Sequence, residues 1–119
     1  MRICLVHSYY KSPSSGENLA VSAQGKLLAE SGHEVQIVAS YSAKDAAPPR
    51  KKIRHGLDVA TGLGESPEHA ISLFRPDIVH IHNLFPNWSS RWLKTLRVPF
   101  VASIHNFRPV CAAGTLSLD

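Results

Sequence analysis

The chain has 119 residues and a mass of 13.0 kDa, a length that accommodates one domain. Hydrophobic residues make up 44% and charged residues 18%, an ordinary globular composition that excludes a disordered, collagen-like or disulfide-scaffold chain. The net charge is +4, and the chain contains one cluster of basic residues: Arg50, Lys51, Lys52 and Arg54. This cluster fits a solvated loop, or contact with anionic membrane lipids, nucleic acid or phosphorylated ligands. It lacks the interleaved aromatic residues of single-strand binders, so no nucleic-acid partner is expected.

The chain contains no run approaching the roughly 18 apolar residues of a membrane span. We therefore expect a cytoplasmic protein, which the basic cluster would bring to the inner face of the membrane. The two cysteines, Cys4 and Cys111, show no metal-binding or redox spacing, and Cys4 lies in an apolar run typical of a buried thiol.

The first forty residues alternate strand, helix and strand. Residues 2–7 form a β-rich apolar run typical of a central parallel strand. A helical pattern starts at Glu17 and ends at Gly32, which suits the left-handed position after a helix. Residues 34–39 then predict a second strand, giving a βαβ unit. The helix is expected to bury the apolar side formed by Leu19, Ala20, Ala23, Leu27 and Leu28.

The second half repeats the alternation after an irregular stretch over residues 40–64. Ser66 and Pro67 predict the start of a helix that Pro76 ends. A strand over residues 77–82, a helix over residues 88–96 and a strand over residues 100–104 follow, and residues 105–119 are expected to be loop. The whole pattern predicts an α/β fold with a Rossmann-like, doubly wound, mostly parallel sheet.

Polar side chains follow three of these strands at the carboxyl ends, where open parallel sheets bind ligands. They are His7 after the first strand, His82 and Asn83 after the third, and His105, Asn106 and Arg108 after the fourth. We expect His105 to serve as a general acid or base, or as a hydrogen-bonding group. For each histidine taken alone a strand-end residue of purely structural role is the simpler interpretation, and the shared edge is what favours a site.

Ser15, Gly16 and Glu17 open the first helix. Glycine permits close backbone approach to a ligand, and the N–H groups of a helix start favour an anion. The alternative is a simple N-cap, since the loop has neither a GxGxxG pattern nor the lysine of a P-loop.

Two other chemistries are weaker interpretations. His80 and His82, two apart on a strand, share a face and would need His105 or His7 as a third zinc ligand. No cysteine or carboxylate accompanies them, so no metal is expected. Cys111 with His105 would form a thiolate pair, but the spacing provides no orienting third group.

Five segments carry a family resemblance: residues 1–10, 14–18, 28–35, 75–86 and 101–116. The most specific are Pro-Asp-Ile-Val-His-Ile-His-Asn, from Pro76, and Ile-His-Asn-Phe-Arg, from Ile104. With these segments the sequence resembles the N-terminal, acceptor-side domain of glycosyltransferase family 4, whose members are retaining enzymes of GT-B architecture. The resemblance implies that residues 1–119 are a single, truncated Rossmann-like domain and that the C-terminal nucleotide-sugar-binding domain is absent.

The resemblance also assigns roles to residues. Ser15, Gly16 and Glu17 would face the donor's diphosphate or sugar, and the family's functional histidine falls on His105. A second group would shape the pocket and its acceptor side: His7, His82, Asn83, Asn106 and Arg108. The nucleotide-sugar would be a substrate, and no cofactor is expected.

The implied function is the acceptor-side part of a retaining glycosyltransferase that moves a sugar from a nucleotide-sugar to an unknown acceptor, inactive alone. The alternative is a non-catalytic interaction module that forms a homodimer or pairs with a separate C-terminal chain. An incomplete parallel sheet favours it, because a strand edge left open presents unpaired N–H and C=O groups.

Overall fold

The computed structural model describes residues 1–9, 15–41, 61, 65–85 and 87–105. Within these ranges the chain forms four strands, two α-helices and one 3₁₀ helix. Their bounds are β1 Arg2–Tyr9, α1 Gly16–Glu30, β2 Glu34–Tyr41, α2 Glu68–Phe74, β3 Ile78–Asn83, the 3₁₀ helix Arg91–Lys94 and β4 Phe100–Ala102.

The four strands form one parallel sheet in the order β2-β1-β3-β4. Helices and loop segments cover both faces, so the predicted doubly wound α/β fold is confirmed. β1 lies between two neighbours and is buried from Ile3 to Ser8, as its apolar sequence predicts. Because all strands are parallel, their carboxyl ends meet at one edge, and this edge carries His7, His82, Asn83 and His105. Among the described residues no helix is long and apolar enough to cross a membrane.

α1 packs on one face of the sheet, with Val21 against Ile3 and Leu5. The predicted apolar side of α1 is wrong: Leu19 and Leu27 are 58% and 63% exposed. The buried positions are Asn18, Val21 and Gly25. Gly25 lets the helix approach closely, since a Cβ there would lie 3.1 Å from Ile37 Cδ1. Val21, Gly25 and the hydrogen-bonded Asn18 thus define the buried side, and of the predicted leucines Leu28 packs partly buried against the core.

The opposite face carries the larger apolar cluster. Its buried members are Cys4, Val6, Val38, Ile71, Val79, Ile81, Trp88 and Trp92. The helix predicted over residues 88–96 is wrong, because only Arg91–Lys94 forms a short 3₁₀ helix. Trp88 and Trp92 are buried, and Asn87 is bonded to the ends of β1 and β2. These contacts fix the segment against the sheet and override its helical pattern.

The remaining boundaries follow the sequence with small shifts. β1 and β2 each run two residues further than predicted, and β4 ends at Ala102, two residues earlier than predicted. Gly32 has φ +83° and ends α1 as expected, with its N–H donating to the carbonyl oxygen of Ala29 at 3.0 Å. The residues predicted as an irregular stretch lie mostly outside the described part of the chain.

Candidate functional site at the carboxyl edge of the sheet

Four histidines lie side by side at the carboxyl edge. His80 and His82 on β3 stack with ring centroids 4.2 Å apart, and His82 stacks on His105 at 5.2 Å. His7 of β1 meets His82 edge to face at 6.2 Å. The spacing of two between His80 and His82, and the parallel strands, bring all four to one place. The sequence-based expectation that His7, His82 and His105 share an edge is therefore confirmed.

A β-bulge shapes the middle of this cluster. Val6 of β1 pairs with Ile81, but His7 pairs with Asn83, so His82 has no register partner in β1. Bulges often re-aim a side chain next to a functional site. Here the bulge lets His82 contact His105, while Asn83 donates from Nδ2 to Glu17 Oε2 at 3.2 Å.

The histidine nitrogens bond to neighbouring side chains and to one another. His7 Nε2–H donates to Asn18 Oδ1 at 2.8 Å, and His80 Nε2 is hydrogen-bonded to Ser103 Oγ at 2.8 Å. His82 Nδ1 and His105 Nε2 share a hydrogen bond of 2.9 Å. In the described part of the chain no three His, Cys, Asp or Glu side chains are arranged to hold a metal ion. The described geometry therefore gives no support to the zinc interpretation.

Burial keeps the inner histidines neutral. It lowers the pKa of His82 from 6.5 to about 4, and the positive charge that His80, His105 and His7 can carry acts in the same direction. Burial also lowers the pKa of His7, although the hydrogen bond to Asn18 and the Glu17 carboxylate oppose it. The pKa of His80 is lowered by burial and then by His105. A site at this edge therefore offers neutral imidazoles near pH 7.

The start of α1 lies beside the histidines. Ser15 occupies the N-cap position with φ −62° and ψ 146°, but its Oγ makes no capping bond and is buried without a partner among the described residues. Gly16 is exposed, and a Cβ on it would meet no atom within 4 Å. The glycine therefore leaves open space at the helix start, next to the Glu17 and Asn83 pair.

The family comparison decides what kind of domain carries this edge. A family model described as Glycosyltransferase Family 4 matches residues 20–117. The chain belongs to glycosyltransferase family 4. A search of curated proteins and a search of solved structures each found no match. The family predicted from the sequence segments is thus confirmed, and the parallel α/β sheet is consistent with part of a GT-B domain.

Not every predicted site residue of this family 4 domain has a described position. Asn106, Arg108 and Cys111 lie outside the described residues, as does the basic cluster of Arg50, Lys51, Lys52 and Arg54. Pocket shaping by the first two and membrane contact by the cluster stay predictions. The described candidates that converge are Ser15, Gly16, Glu17, His7, His82, Asn83 and His105.

Sequence reasoning missed two asparagines of the family 4 domain. Asn18, 3% exposed, holds His7, and its position one residue after Glu17 at a helix start was the available signal. Asn87 donates from Nδ2 to the carbonyl oxygens of Tyr9 and Ser40, and its N–H donates to Ser8 Oγ. It ties the loop after β3 to the ends of β1 and β2, a role that no sequence pattern indicated.

Proposed function

We propose that the protein forms the acceptor-side wall of a retaining glycosyltransferase, which moves a sugar from a nucleotide-sugar donor to an acceptor. The observation that supports it most is the open space at Gly16, beside the hydrogen-bonded pair of Glu17 and Asn83, in a chain that belongs to glycosyltransferase family 4. No described side chain of the protein fills this space.

The chemistry of the edge suits a polar, anionic donor. The start of α1 lies at the positive end of the helix dipole, which favours a phosphate group. His105 is exposed, follows the end of β4 and stacks on His82 of the same histidine cluster. In this proposal Ser15, Gly16 and Glu17 face the diphosphate or sugar, and His105 faces the transferred sugar. His7, His82 and Asn83 support that wall.

A complete reaction needs a second wall. A departing diphosphate requires positive charge or oriented dipoles around it, and one helix start supplies only part of that. We therefore propose that these 119 residues alone catalyse no transfer and bind nucleotide-sugars weakly, with a donor-binding domain required for turnover. Release of nucleoside diphosphate from any nucleotide-sugar by the purified 119-residue chain would contradict this.

The binding proposal can be tested at Gly16. Since a Cβ there meets no described atom within 4 Å, Gly16→Val should leave the fold intact but fill the space the ligand needs. NMR titration of the wild-type chain with uridine and guanosine diphosphate sugars should shift the amide signals of Gly16 and Glu17, and Gly16→Val should abolish these shifts. Ala20→Val, at an exposed position of the same helix, is the matched control.

Two results would overturn the proposal. One is a set of ligand shifts that avoids the start of α1, and the other is Gly16→Val binding as wild type does. Unphosphorylated nucleosides serve as a ligand control, because they lack the anion that the helix start would hold. Retention is tested by supplying a family 4 donor-binding domain and comparing the anomeric configuration of product and donor by NMR.

A second candidate function is an interaction module, and the exposed edge strand favours it. All three residues of β4 are exposed, with Phe100 at 46% and Val101 at 48%, and Ile104 just beyond is 73% exposed. An apolar strand edge invites pairing with a second copy or a separate C-terminal chain. Sedimentation should then show a dimer that Ile104→Lys dissociates and Leu73→Lys, exposed on α2, does not. A wild-type monomer would count against self-association.

The basic cluster supports a further, separate proposal of peripheral membrane contact. Four positive charges within Arg50–Arg54 match anionic lipid headgroups. Binding to vesicles containing phosphatidylserine should fall when Arg50, Lys51, Lys52 and Arg54 are replaced by serine. Unchanged binding would refute the contact.

A further inference from the structure

The hydrogen bond between His82 and His105 can run in either direction, depending on which ring carries the proton. Nδ1 of His82 and Nε2 of His105 lie 2.9 Å apart, and one proton is shared between them. One ring therefore donates and the other accepts, which fixes where each neutral imidazole carries its own proton. His82 is 7% exposed, whereas His105 is exposed to solvent.

The other nitrogen of His82 decides the direction. Nε2 of His82 is buried and has no hydrogen-bond partner among the described residues. If His105 donated, neutral His82 would carry its proton on Nε2 and bury an N–H group without an acceptor. Orphaned buried N–H groups are rare, because they lose their hydrogen bond to water and gain none in the fold. If His82 donates from Nδ1, Nε2 holds only a lone pair, and no donor is stranded.

His7 follows the same pattern in the same cluster. It donates from Nε2 to Asn18 Oδ1, and its Nδ1 is buried without a partner. With His82 donating from Nδ1, both buried rings direct their single N–H to an acceptor, and the buried second nitrogen of each ring carries only a lone pair. The groups around His82 are the rings of His7, His80 and His105, so a charge on His82 would meet three rings that can themselves be positive.

We propose that His82 is a positioning residue: it donates from Nδ1 to Nε2 of His105 and thereby holds neutral His105 as the Nδ1–H tautomer. His105 then presents a hydrogen-bond donor, and not a base, to a ligand at the carboxyl edge. That the ligand is the transferred sugar rests on the proposed function, whereas the tautomer assignment rests on the histidine geometry alone. The bulge in β3 serves this arrangement, because it frees His82 from the register with β1.

Long-range proton–nitrogen NMR of the ¹⁵N-labelled 119-residue chain tests the assignment without any ligand. At pH 7.5 the neutral forms of His82 and His105 should both show a protonated Nδ1. His82→Phe keeps an aromatic ring but removes the donor, so His105 should switch to the Nε2–H tautomer that imidazole prefers in water.

His69→Phe is the matched control, because His69 is exposed on α2 and should leave the His105 tautomer unchanged. A His82 protonated on Nε2 in the wild-type chain would overturn the proposal. So would an unchanged His105 tautomer in His82→Phe when the His7 signals show that the fold is intact. If His82→Phe does not fold, the wild-type tautomers decide alone. Tautomers as expected, combined with no nucleotide-sugar shift at Gly16, would support this inference and overturn the proposed function only.

Discussion

The two faces of the sheet are built from different chemistry. The face covered by α2 and the tryptophan segment buries the larger apolar cluster, which includes Ile71, Val79 and Trp92. Its polar contact of Asn87 with Ser8 lies at the end of β1. The face covered by α1 buries a smaller apolar group, and beside it the hydrogen-bonded pair of His7 and Asn18. The α2 face therefore has the larger apolar core. The α1 face has a smaller one and holds hydrogen-bonded histidines at the edge of the candidate site.

The largest expected effect comes from the apolar face. Ile71 is 3% exposed, so Ile71→Ala should lower the free energy of unfolding by about 2–5 kcal/mol, through lost burial and a cavity. Leu73 on the same helix is 70% exposed, and Leu73→Ala should change it by less than about 0.5 kcal/mol. Urea denaturation measures both. Equal losses in the two variants would show that α2 does not anchor this face.

Acid should weaken the α1 face selectively. The unfolded chain protonates His82 near pH 6.5, but folded His82 resists protonation until about pH 4. Stability is therefore complete above about pH 6.5 and falls as the pH drops toward 4, by at most about 1.4 kcal/mol per pH unit from this residue. The lowered pKa values of His7 and His80 act in the same direction.

Urea midpoints at pH 7.5, 6.0 and 5.0 measure this slope. His82→Asn removes one titrating group and should flatten the curve, while His69→Asn, at an exposed position, should not. A wild-type stability that stays constant between pH 7.5 and 5.0 would show that the inner histidines are not shielded from protonation.

The His7 and Asn18 pair gives a smaller effect. Asn18→Leu leaves the buried Nε2–H of His7 without its acceptor, which should cost about 1–3 kcal/mol. Adding His7→Phe removes the stranded donor and should recover most of the loss. A double-mutant cycle by urea denaturation measures the coupling. Additive effects of the two substitutions would mean that the hydrogen bond contributes nothing.

The smallest effect concerns the close approach of α1. Gly25→Ala gains about 1 kcal/mol of helix propensity, but its Cβ would lie 3.1 Å from Ile37 Cδ1. Ile37 is 39% exposed and its end can move, so the net change should stay within about 0.5 kcal/mol. In an Ile37→Val background, which lacks that Cδ1 atom, Gly25→Ala should stabilise by about 0.5–1 kcal/mol. Thermal or urea denaturation measures these changes. An equal effect of Gly25→Ala in the wild-type and Ile37→Val backgrounds would contradict the prediction.

The positions of the strands and the edge chemistry were predictable because they depend on short apolar runs and on where those runs stop. The runs ending at His7 and His82 placed both histidines at one edge without knowledge of any contact. The family followed from longer segments such as residues 75–86. None of this required the register between strands.

The details that depend on register and close packing were not predictable. A bulge at His82 leaves no trace in composition, yet it decides which ring meets His105. The buried side of α1 was predicted from leucines, whereas the close approach at Gly25 and the bond of Asn18 to His7 set it. The helix predicted over residues 88–96 failed because Asn87 and the tryptophans are held by tertiary contacts.

Cys4 lies in the middle of β1, which is paired to strands on both sides. It is fully buried, and burial raises the pKa of its thiol to about 11, so the reactive thiolate is scarce in the folded chain at neutral pH. An alkylating reagent can therefore reach it only when the central strand opens. In a Cys111→Ser background, the labelling rate of Cys4 would time that opening. The buried thiol of Cys4 is thus an internal probe of how often the sheet opens at its central strand.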